Sequence, residues 1–204
     1  MLVFPRHVGC PFAERDVHSL VHLVLANPDR FSLTPPASTI TTDAAPAAAA
    51  EVPVTFLIVT HSDLTSSRAW FASVLEAAFA SFTPLSAASA PSSDLIARHF
   101  SLFPDPSGTL SKAYGIGQLG SYGALFSDGM WAEIKKLKEG TAGEAEGEKK
   151  KAGIVNRTTG GGSDRWKAHG ACVVGWEGEV KWWWRGERAE EEGDWEAAVK
   201  SLGI

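Results

Sequence analysis

The stretch that most constrains the fold is a run of apolar, largely β-branched residues at 52–59, Val-Pro-Val-Thr-Phe-Leu-Ile-Val. Such a run is typical of a strand covered on both faces, because a strand with one solvated face alternates apolar and polar residues. A shorter apolar run, Leu2–Phe4, begins the chain, and a helical pattern follows it from Pro11 to Leu25. The order strand, helix, strand predicts a parallel central pair of strands.

The remainder of the chain adds helices and an antiparallel hairpin. In chain order we predict an amphipathic helix at 66–82 and two further helices at 110–114 and 129–137. Two hairpin strands at 171–174 and 179–184 and a last helix at 194–202 follow. Residues 32–51 and 138–152 are poor in bulky apolar groups, and we expect both to be flexible insertions. The chain is therefore predicted to form one α/β domain over residues 1–204, with a mixed central sheet flanked by helices.

Composition excludes several classes of protein. The 204 residues carry 19 basic and 24 acidic side chains, a balance that argues against a general nucleic-acid binder. Two cysteines cannot form a disulfide scaffold. No segment reaches the roughly 18 apolar residues of a membrane span, and the apolar stretch at the amino terminus is too short for a signal peptide. We expect a cytoplasmic protein with neither a nucleic-acid nor a membrane partner.

Cys10 is the residue with the clearest chemical context. It follows the first strand and precedes a helix whose first turn contains Pro11, a position that suits proline. A helix amino terminus offers unpaired N–H groups and a partial positive charge, and Arg6 and His7 add to this field. Cysteines in such surroundings are nucleophilic at neutral pH. We predict that Cys10 is reactive; the alternative is a buried cysteine at a strand end.

The segment Arg6-His-Val-Gly-Cys10-Pro-Phe resembles the active-site segment of the peroxiredoxin-like branch of the alkyl hydroperoxide reductase/thiol-specific antioxidant family. Later stretches agree with that family in their order: Asp105-Pro, Leu110 to Gly117, Asn156 to Trp166, His169-Gly-Ala and Gly178-Glu-Val. The likeness covers nearly the whole chain outside the two insertions. It implies a thioredoxin-like fold, here short at its amino terminus, in which the first cysteine attacks a peroxide or exchanges with a disulfide.

The resemblance also implies roles for residues far from Cys10. Gly170 falls where thioredoxin-like folds place the residue that faces the reactive cysteine, so His169 should lie near Cys10 and is a candidate proton donor. Arg165 is a candidate to hold a substrate anion or the thiolate. For both side chains a solvated loop charge is the alternative. Cys172 should lie two residues into a central strand, as a buried structural cysteine rather than a resolving one.

Two departures from the family bear on the mechanism. Many relatives carry a second cysteine where this chain has Ala13, and peroxiredoxins carry a threonine where it has His7. We therefore predict a one-cysteine thiol peroxidase or thiol–disulfide oxidoreductase, an antioxidant enzyme that needs an external thiol such as glutathione or thioredoxin and no bound cofactor. The alternatives are a protein that binds or transforms an apolar metabolite at the Cys10 pocket, and a non-catalytic interaction module. A homodimer is left open.

Two further patterns are weaker. His18 and His22 are one turn apart on the first helix, the spacing of two metal ligands, but no third ligand is evident. We therefore predict no metal site. Within Trp182-Trp183-Trp184 the side chains should alternate between the two faces of a strand, which favours core packing. An exposed tryptophan surface for a substrate or partner is the alternative.

Overall fold

The first strand of the chain lies in the middle of the sheet. A computed structural model describes residues 1–31, 54–82, 97, 99–139 and 166–203. The described residues form a mixed α/β structure, a five-stranded mixed sheet flanked by helices. The predicted insertion at 32–51 lies outside the described residues, as does the part of the second insertion that follows residue 139.

The strands are β1 (Leu2–Phe4), β2 (Phe56–Thr60), β3 (Phe100–Pro104), β4 (Gly170–Val174) and β5 (Val180–Arg185). Their order across the sheet is β3-β2-β1-β4-β5. β1 pairs in parallel with β2, and β2 pairs in parallel with β3. β4 is antiparallel to both β1 and β5. The predicted parallel pair and the predicted hairpin are both confirmed.

The helices are α1 (Pro11–Ala26), α2 (Leu64–Ser81), α3 (Thr109–Ala113), α4 (Tyr122–Leu125), α5 (Asp128–Glu139) and α6 (Trp195–Lys200), with a 3-10 turn at Pro28–Phe31. α1 packs against α2 and buries its apolar face in the core. The elements β3 and α4 were absent from the prediction. β3 is an edge strand with exposed residues in its middle, and α4 is a single turn. No helix in the described ranges is long and apolar enough to cross a membrane.

The core lies on both sides of β2, as the apolar run predicts. Phe56, Ile58 and Val59 are fully buried, although β2 itself begins at Phe56, later than the predicted strand. In β5, Trp182 and Trp184 pack against the core while Trp183 is 49% exposed. The predicted alternation of the three tryptophans is therefore confirmed.

Gly170 allows β4 to approach both β1 and β5 closely at the centre of the sheet. It lies opposite Phe4 of β1 and opposite Arg185 of β5. A Cβ atom at this position would lie 2.6 Å from the carbonyl oxygen of Trp184, a backbone atom that cannot move without disturbing the hairpin. Glycine is thus required where β4 meets both of its neighbours.

Asp105 joins the end of β3 to the start of α3. Its backbone N–H donates to the carbonyl oxygen of Thr60 at 2.6 Å. Its carboxylate accepts hydrogen bonds from the backbone N–H groups of Thr109, Leu110 and Ser111, at 2.9–3.1 Å. Burial favours the neutral acid, but these bonds outweigh burial and hold the pKa of Asp105 below its usual value. The residue is therefore a buried, charged helix cap.

Replacing Asp105 by asparagine should lower the free energy of unfolding by about 2 kcal/mol, because hydrogen bonds to a charged group stabilise more than neutral ones. Urea denaturation of the wild type and of Asp105→Asn measures this difference. Asp63→Asn is the matched control: Asp63 caps the exposed start of α2 by accepting from Ser66 N–H, and asparagine caps as well as aspartate there. Equal losses in the two variants would contradict the special role of Asp105.

Candidate functional site

Polar residues gather where the three parallel strands end. Because β1, β2 and β3 run in the same direction, their carboxyl ends meet at one edge of the sheet, the edge at which sites form in open α/β sheets. Each strand is followed there by buried polar side chains: Arg6 and His7 after β1, His61 and Ser62 after β2, and Asp105 after β3. His61 and Ser62 were not singled out from the sequence. Their signal was a polar pair directly after a buried strand.

Cys10 is the N-cap residue of α1, as predicted. Its backbone is extended, its carbonyl oxygen accepts from Glu14 N–H at 3.0 Å, and Pro11 occupies the first turn. Gly9 precedes it with a φ of 82°, a left-handed conformation that glycine adopts without strain. The turn between β1 and α1 therefore places the Cys10 sulfur at the amino-terminal end of a 16-residue helix.

Arg6 contacts the Cys10 sulfur directly. Its Nη1 lies 3.5 Å from Cys10 Sγ, and its Nε donates to the carbonyl oxygen of Lys167 at 3.3 Å. Arg6 is 3% exposed and Cys10 is 2% exposed. The contact brings a permanent positive charge to a buried sulfur atom, and the bond to Lys167 fixes the guanidinium in that position.

The other predicted site residues differ in how the structure places them. The His7 ring is buried, with Nδ1 3.3 Å from the carbonyl oxygen of Val8. Arg165 lies outside the described residues, so its predicted role stays a prediction. Cys172 is fully buried in β4, and burial raises the pKa of its thiol to about 11. The prediction of a buried cysteine in a central strand is confirmed.

His169 is a neutral imidazole at pH 7. It is 1% exposed, and its Nε2 donates to the carbonyl oxygen of Glu191 at 2.8 Å. Burial lowers the pKa of His169 to about 4; the bond to Glu191 opposes this shift, and the charges of Arg6 and Arg15 add to it. With the proton on Nε2, Nδ1 is a buried lone pair with no hydrogen-bond partner in the described part of the chain. The one N–H of the neutral ring is therefore held by the Glu191 carbonyl, and the role of His169 as a proton donor stays a prediction.

Arg15 anchors the segment that His169 also contacts. Its Nη1 and Nη2 donate to the carbonyl oxygens of Glu190 and Glu191 at 2.9 and 2.8 Å. Nη2 also donates to Asp16 Oδ1 at 2.9 Å. Burial raises the pKa of Asp16 to about 7, against the opposing effect of Arg15. A fixed network of charges therefore surrounds the start of α1.

Three consecutive charged residues, Glu14, Arg15 and Asp16, are all buried within two turns of Cys10. Sequence reasoning missed them, because a run of charges in a helix is usually solvated. The available signal was their position: they interrupt an apolar helical pattern directly after a cysteine. The structure thus adds buried ionisable groups to the neighbourhood of Cys10 that spacing alone did not indicate.

The described ranges contain no group of three or more His, Cys, Asp or Glu side chains arranged to hold a metal ion. A comparison of the chain with known protein families, with curated proteins and with solved structures finds no match. Function must therefore be argued from the chemistry of Cys10 and the groups around it.

The buried state of His169 should make the protein less stable in mild acid. Between pH 6.5 and about pH 4 the unfolded chain binds a proton at this residue that the folded chain excludes. The free energy of unfolding should therefore fall as the pH decreases through this window, by about 3 kcal/mol at 1.36 kcal/mol per pKa unit.

The test compares urea denaturation of the wild type and His169→Gln at several pH values from 7 to 4. Glutamine can still donate to the Glu191 carbonyl but does not titrate, so the variant should lose stability less steeply in acid. Asp16 has the opposite effect on the free energy of unfolding, because its raised pKa favours proton binding in the folded state. This effect is the same in both proteins and does not alter the difference between them. Parallel stability curves for the two proteins would contradict the assignment.

Proposed function

We propose that this protein is a one-cysteine thiol peroxidase or thiol–disulfide oxidoreductase that uses Cys10 as its nucleophile. The observation that carries the proposal is the contact between Arg6 Nη1 and Cys10 Sγ at the amino terminus of α1. A cation and a helix amino terminus both stabilise a thiolate relative to a thiol. The Cys10 sulfur has both the Arg6 guanidinium and the start of α1 beside it.

The arrangement of strands supports a thioredoxin-like fold within this proposal. The order β2-β1-β4-β5, with β1 and β2 parallel and β4 and β5 antiparallel to their neighbours, agrees with what the family resemblance implies. The reactive cysteine of such folds lies between a central strand and the following helix, as Cys10 does between β1 and α1. Membership of the alkyl hydroperoxide reductase/thiol-specific antioxidant family is part of the proposal.

In the proposed reaction the Cys10 thiolate attacks the terminal oxygen of a hydroperoxide. A sulfur–oxygen bond forms, the oxygen–oxygen bond breaks, and the leaving alkoxide takes up a proton as an alcohol. The positive charge of Arg6 pairs with the thiolate before the attack. Arg6 also lies close to the oxygen that leaves. Cys10 is then a sulfenic acid. Because Cys10 is 2% exposed, the site favours small or slender peroxides.

Regeneration uses a thiol from another molecule. One external thiol attacks the sulfenic sulfur and releases water, which leaves a mixed disulfide. A second external thiol then attacks the external sulfur of that disulfide, which releases the Cys10 thiol and joins the two external thiols in a disulfide that leaves. Cys172 is a poor internal partner, because burial in the sheet raises the pKa of its thiol to about 11. Ala13 occupies the position one turn along α1 where relatives of the family carry a second thiol.

A second candidate function is the binding or conversion of an apolar metabolite near Cys10. Three exposed aromatic rings support it. Tyr122 lies 4.7 Å from Phe126 and 6.3 Å from Trp166, measured between ring centroids. Trp166 precedes Lys167, whose carbonyl oxygen binds Arg6. An apolar surface therefore adjoins the residues that position the thiol.

Cys10 should react faster than a free thiol at pH 6, in a Cys172→Ala background that removes the other sulfur. Arg6→Gln should slow alkylation by iodoacetamide about tenfold, the effect of one nearby opposite charge on an ionising group. Arg30→Gln is the control for a lost arginine, because Arg30 pairs with Glu196 on the surface. Mass spectrometry after mild peroxide treatment and sulfenic-acid trapping should locate the oxidation at Cys10.

Two outcomes would decide against the proposal. If Cys10 alkylates no faster than a free thiol at pH 6, it lacks the reactivity that the mechanism requires. If Cys10→Ser retains full activity on an apolar metabolite, the second candidate function replaces the first.

A further inference from the structure

Lys167 is buried beside the Cys10 site without a carboxylate partner. The residue is 8% exposed, whereas Lys112, Lys181 and Lys200 are exposed. Among the residues that the structure describes, no Asp or Glu forms an ion pair with its ammonium group, and no hydrogen bond involves its Nζ. A buried lysine is usually paired, because an ammonium ion loses strong hydration when it leaves water. The charge of Lys167 is therefore uncompensated within the described part of the chain.

The Lys167 side chain extends along the edge of the sheet where the three parallel strands end. Its backbone lies beside the end of β1, where its carbonyl oxygen accepts from Arg6 Nε at 3.3 Å. Its Nζ packs against Gly108, in the turn between β3 and α3, since a Cβ atom at Gly108 would lie 2.5 Å from that nitrogen. The ammonium group is therefore held at the same edge of the sheet as the candidate site.

Two further cations lie close to Lys167. On one side, Arg6 links the Lys167 carbonyl to the sulfur, because its Nη1 lies 3.5 Å from Cys10 Sγ. On the other side, Lys167 pairs with Gln118 in a β-bridge, and Arg185 Nη2 donates to the Gln118 carbonyl at 2.8 Å. A group of positive charges thus adjoins the thiol, and such a group attracts an anionic ligand.

The external thiol is the substrate large enough to reach both the sulfur and the ammonium group. Cys10 is 2% exposed, so the peroxide that reaches it is small, and hydrogen peroxide has no charged group to offer Lys167. A small thiol that carries carboxylates has a sulfur for Cys10 and an anion for the lysine in one molecule. Hydrogen bonds between an ammonium and a carboxylate are stronger than those between neutral groups.

We propose that Lys167 binds a carboxylate of the thiol that regenerates Cys10. The reductant is then a small carboxylate-bearing thiol of the glutathione type, rather than a neutral thiol or a protein dithiol. This inference rests on the proposed function, because it names the substrate of the second half of the redox cycle. Lys167 takes no part in the sulfur chemistry; it orients the thiol, and the carboxylate compensates the buried charge.

The first test measures binding and needs no activity. Isothermal titration of S-methylglutathione, which has no free thiol, into the Cys10→Ser protein should show binding that the diethyl ester of the same peptide lacks. Lys167→Met should weaken this binding about tenfold or more, because a hydrogen bond between two charged groups is lost. Lys167→Arg keeps the charge and should retain most of the affinity. Lys112→Met is the matched control, an exposed lysine of α3 whose loss should change nothing.

A second pair of variants displaces the ammonium group and leaves Lys167 in place. Gly108→Ala puts a methyl group where the Lys167 Nζ lies, and it should weaken binding of S-methylglutathione. Gly178→Ala is its control: both glycines have a positive φ, of 68° and 87°, but no atom lies within 4 Å of a Cβ at Gly178. Equal affinity in the two alanine variants would contradict the proposal.

The second test follows the recovery of oxidised Cys10. After treatment with hydrogen peroxide, Lys167→Met should recover about tenfold more slowly than the wild type with glutathione and equally fast with 2-mercaptoethanol, which has no carboxylate. The inference is overturned if the diethyl ester binds as tightly as the free acid, if Lys167→Met leaves binding unchanged, or if it slows both thiols alike. Failure of Cys10 to form a sulfenic acid would instead contradict the proposed function, and the titrations with Cys10→Ser distinguish the two failures.

Discussion

The pairing of β1 on both of its sides determines where the candidate site of this protein lies. β1 has only three residues, yet it bonds to β2 on one side and to β4 on the other. The residues that follow its carboxyl end therefore lie in the interior, and Arg6 and Cys10 are both buried. The same pairing brings the residues before β4 alongside, so that the Lys167 carbonyl can hold the Arg6 guanidinium. The contact of Arg6 with the sulfur follows from the sheet.

A second consequence of that burial is that the charges around Cys10 act on one another. Arg6 and Arg15 are buried cations whose charges both help to lower the pKa of His169. Asp16 is their buried counterpart, bonded to Arg15. A buried charge costs free energy unless it is paired and hydrogen-bonded, and Arg15 meets both conditions through Asp16 and two backbone carbonyls. Because the effects are mutual, substituting Arg6 changes the environment of His169 as well as that of the thiol.

How much of the fold and of the candidate site can be predicted depends on how far apart in sequence the interacting residues lie. The parallel pair of strands and the N-cap position of Cys10 were predicted because each rests on a few adjacent residues, an apolar run in one case and Gly9-Cys10-Pro11 in the other. The edge strand β3 was not predicted, because it forms by pairing with β2 and has no pattern of apolar residues of its own that indicates a strand. The burial of Arg15, and of Asp16 bonded to it, was missed because Arg15 is held by the carbonyl oxygens of Glu190 and Glu191, about 175 residues away in sequence.

The two cysteines show how position alone gives one chemical group two different environments. Cys172 lies within β4, which pairs with β1 and β5, and burial raises the pKa of its thiol although the amino-terminal charge and a backbone hydrogen bond with Leu2 oppose the shift. Burial there disfavours the thiolate. Cys10 is as deeply buried, but it lies at a helix start, where N–H groups have no partner within the helix, and beside a guanidinium. Burial strengthens rather than weakens the electrostatic effect of such fixed groups. The proposed redox cycle therefore uses one sulfur of this chain, Cys10, and takes its second sulfur from another molecule.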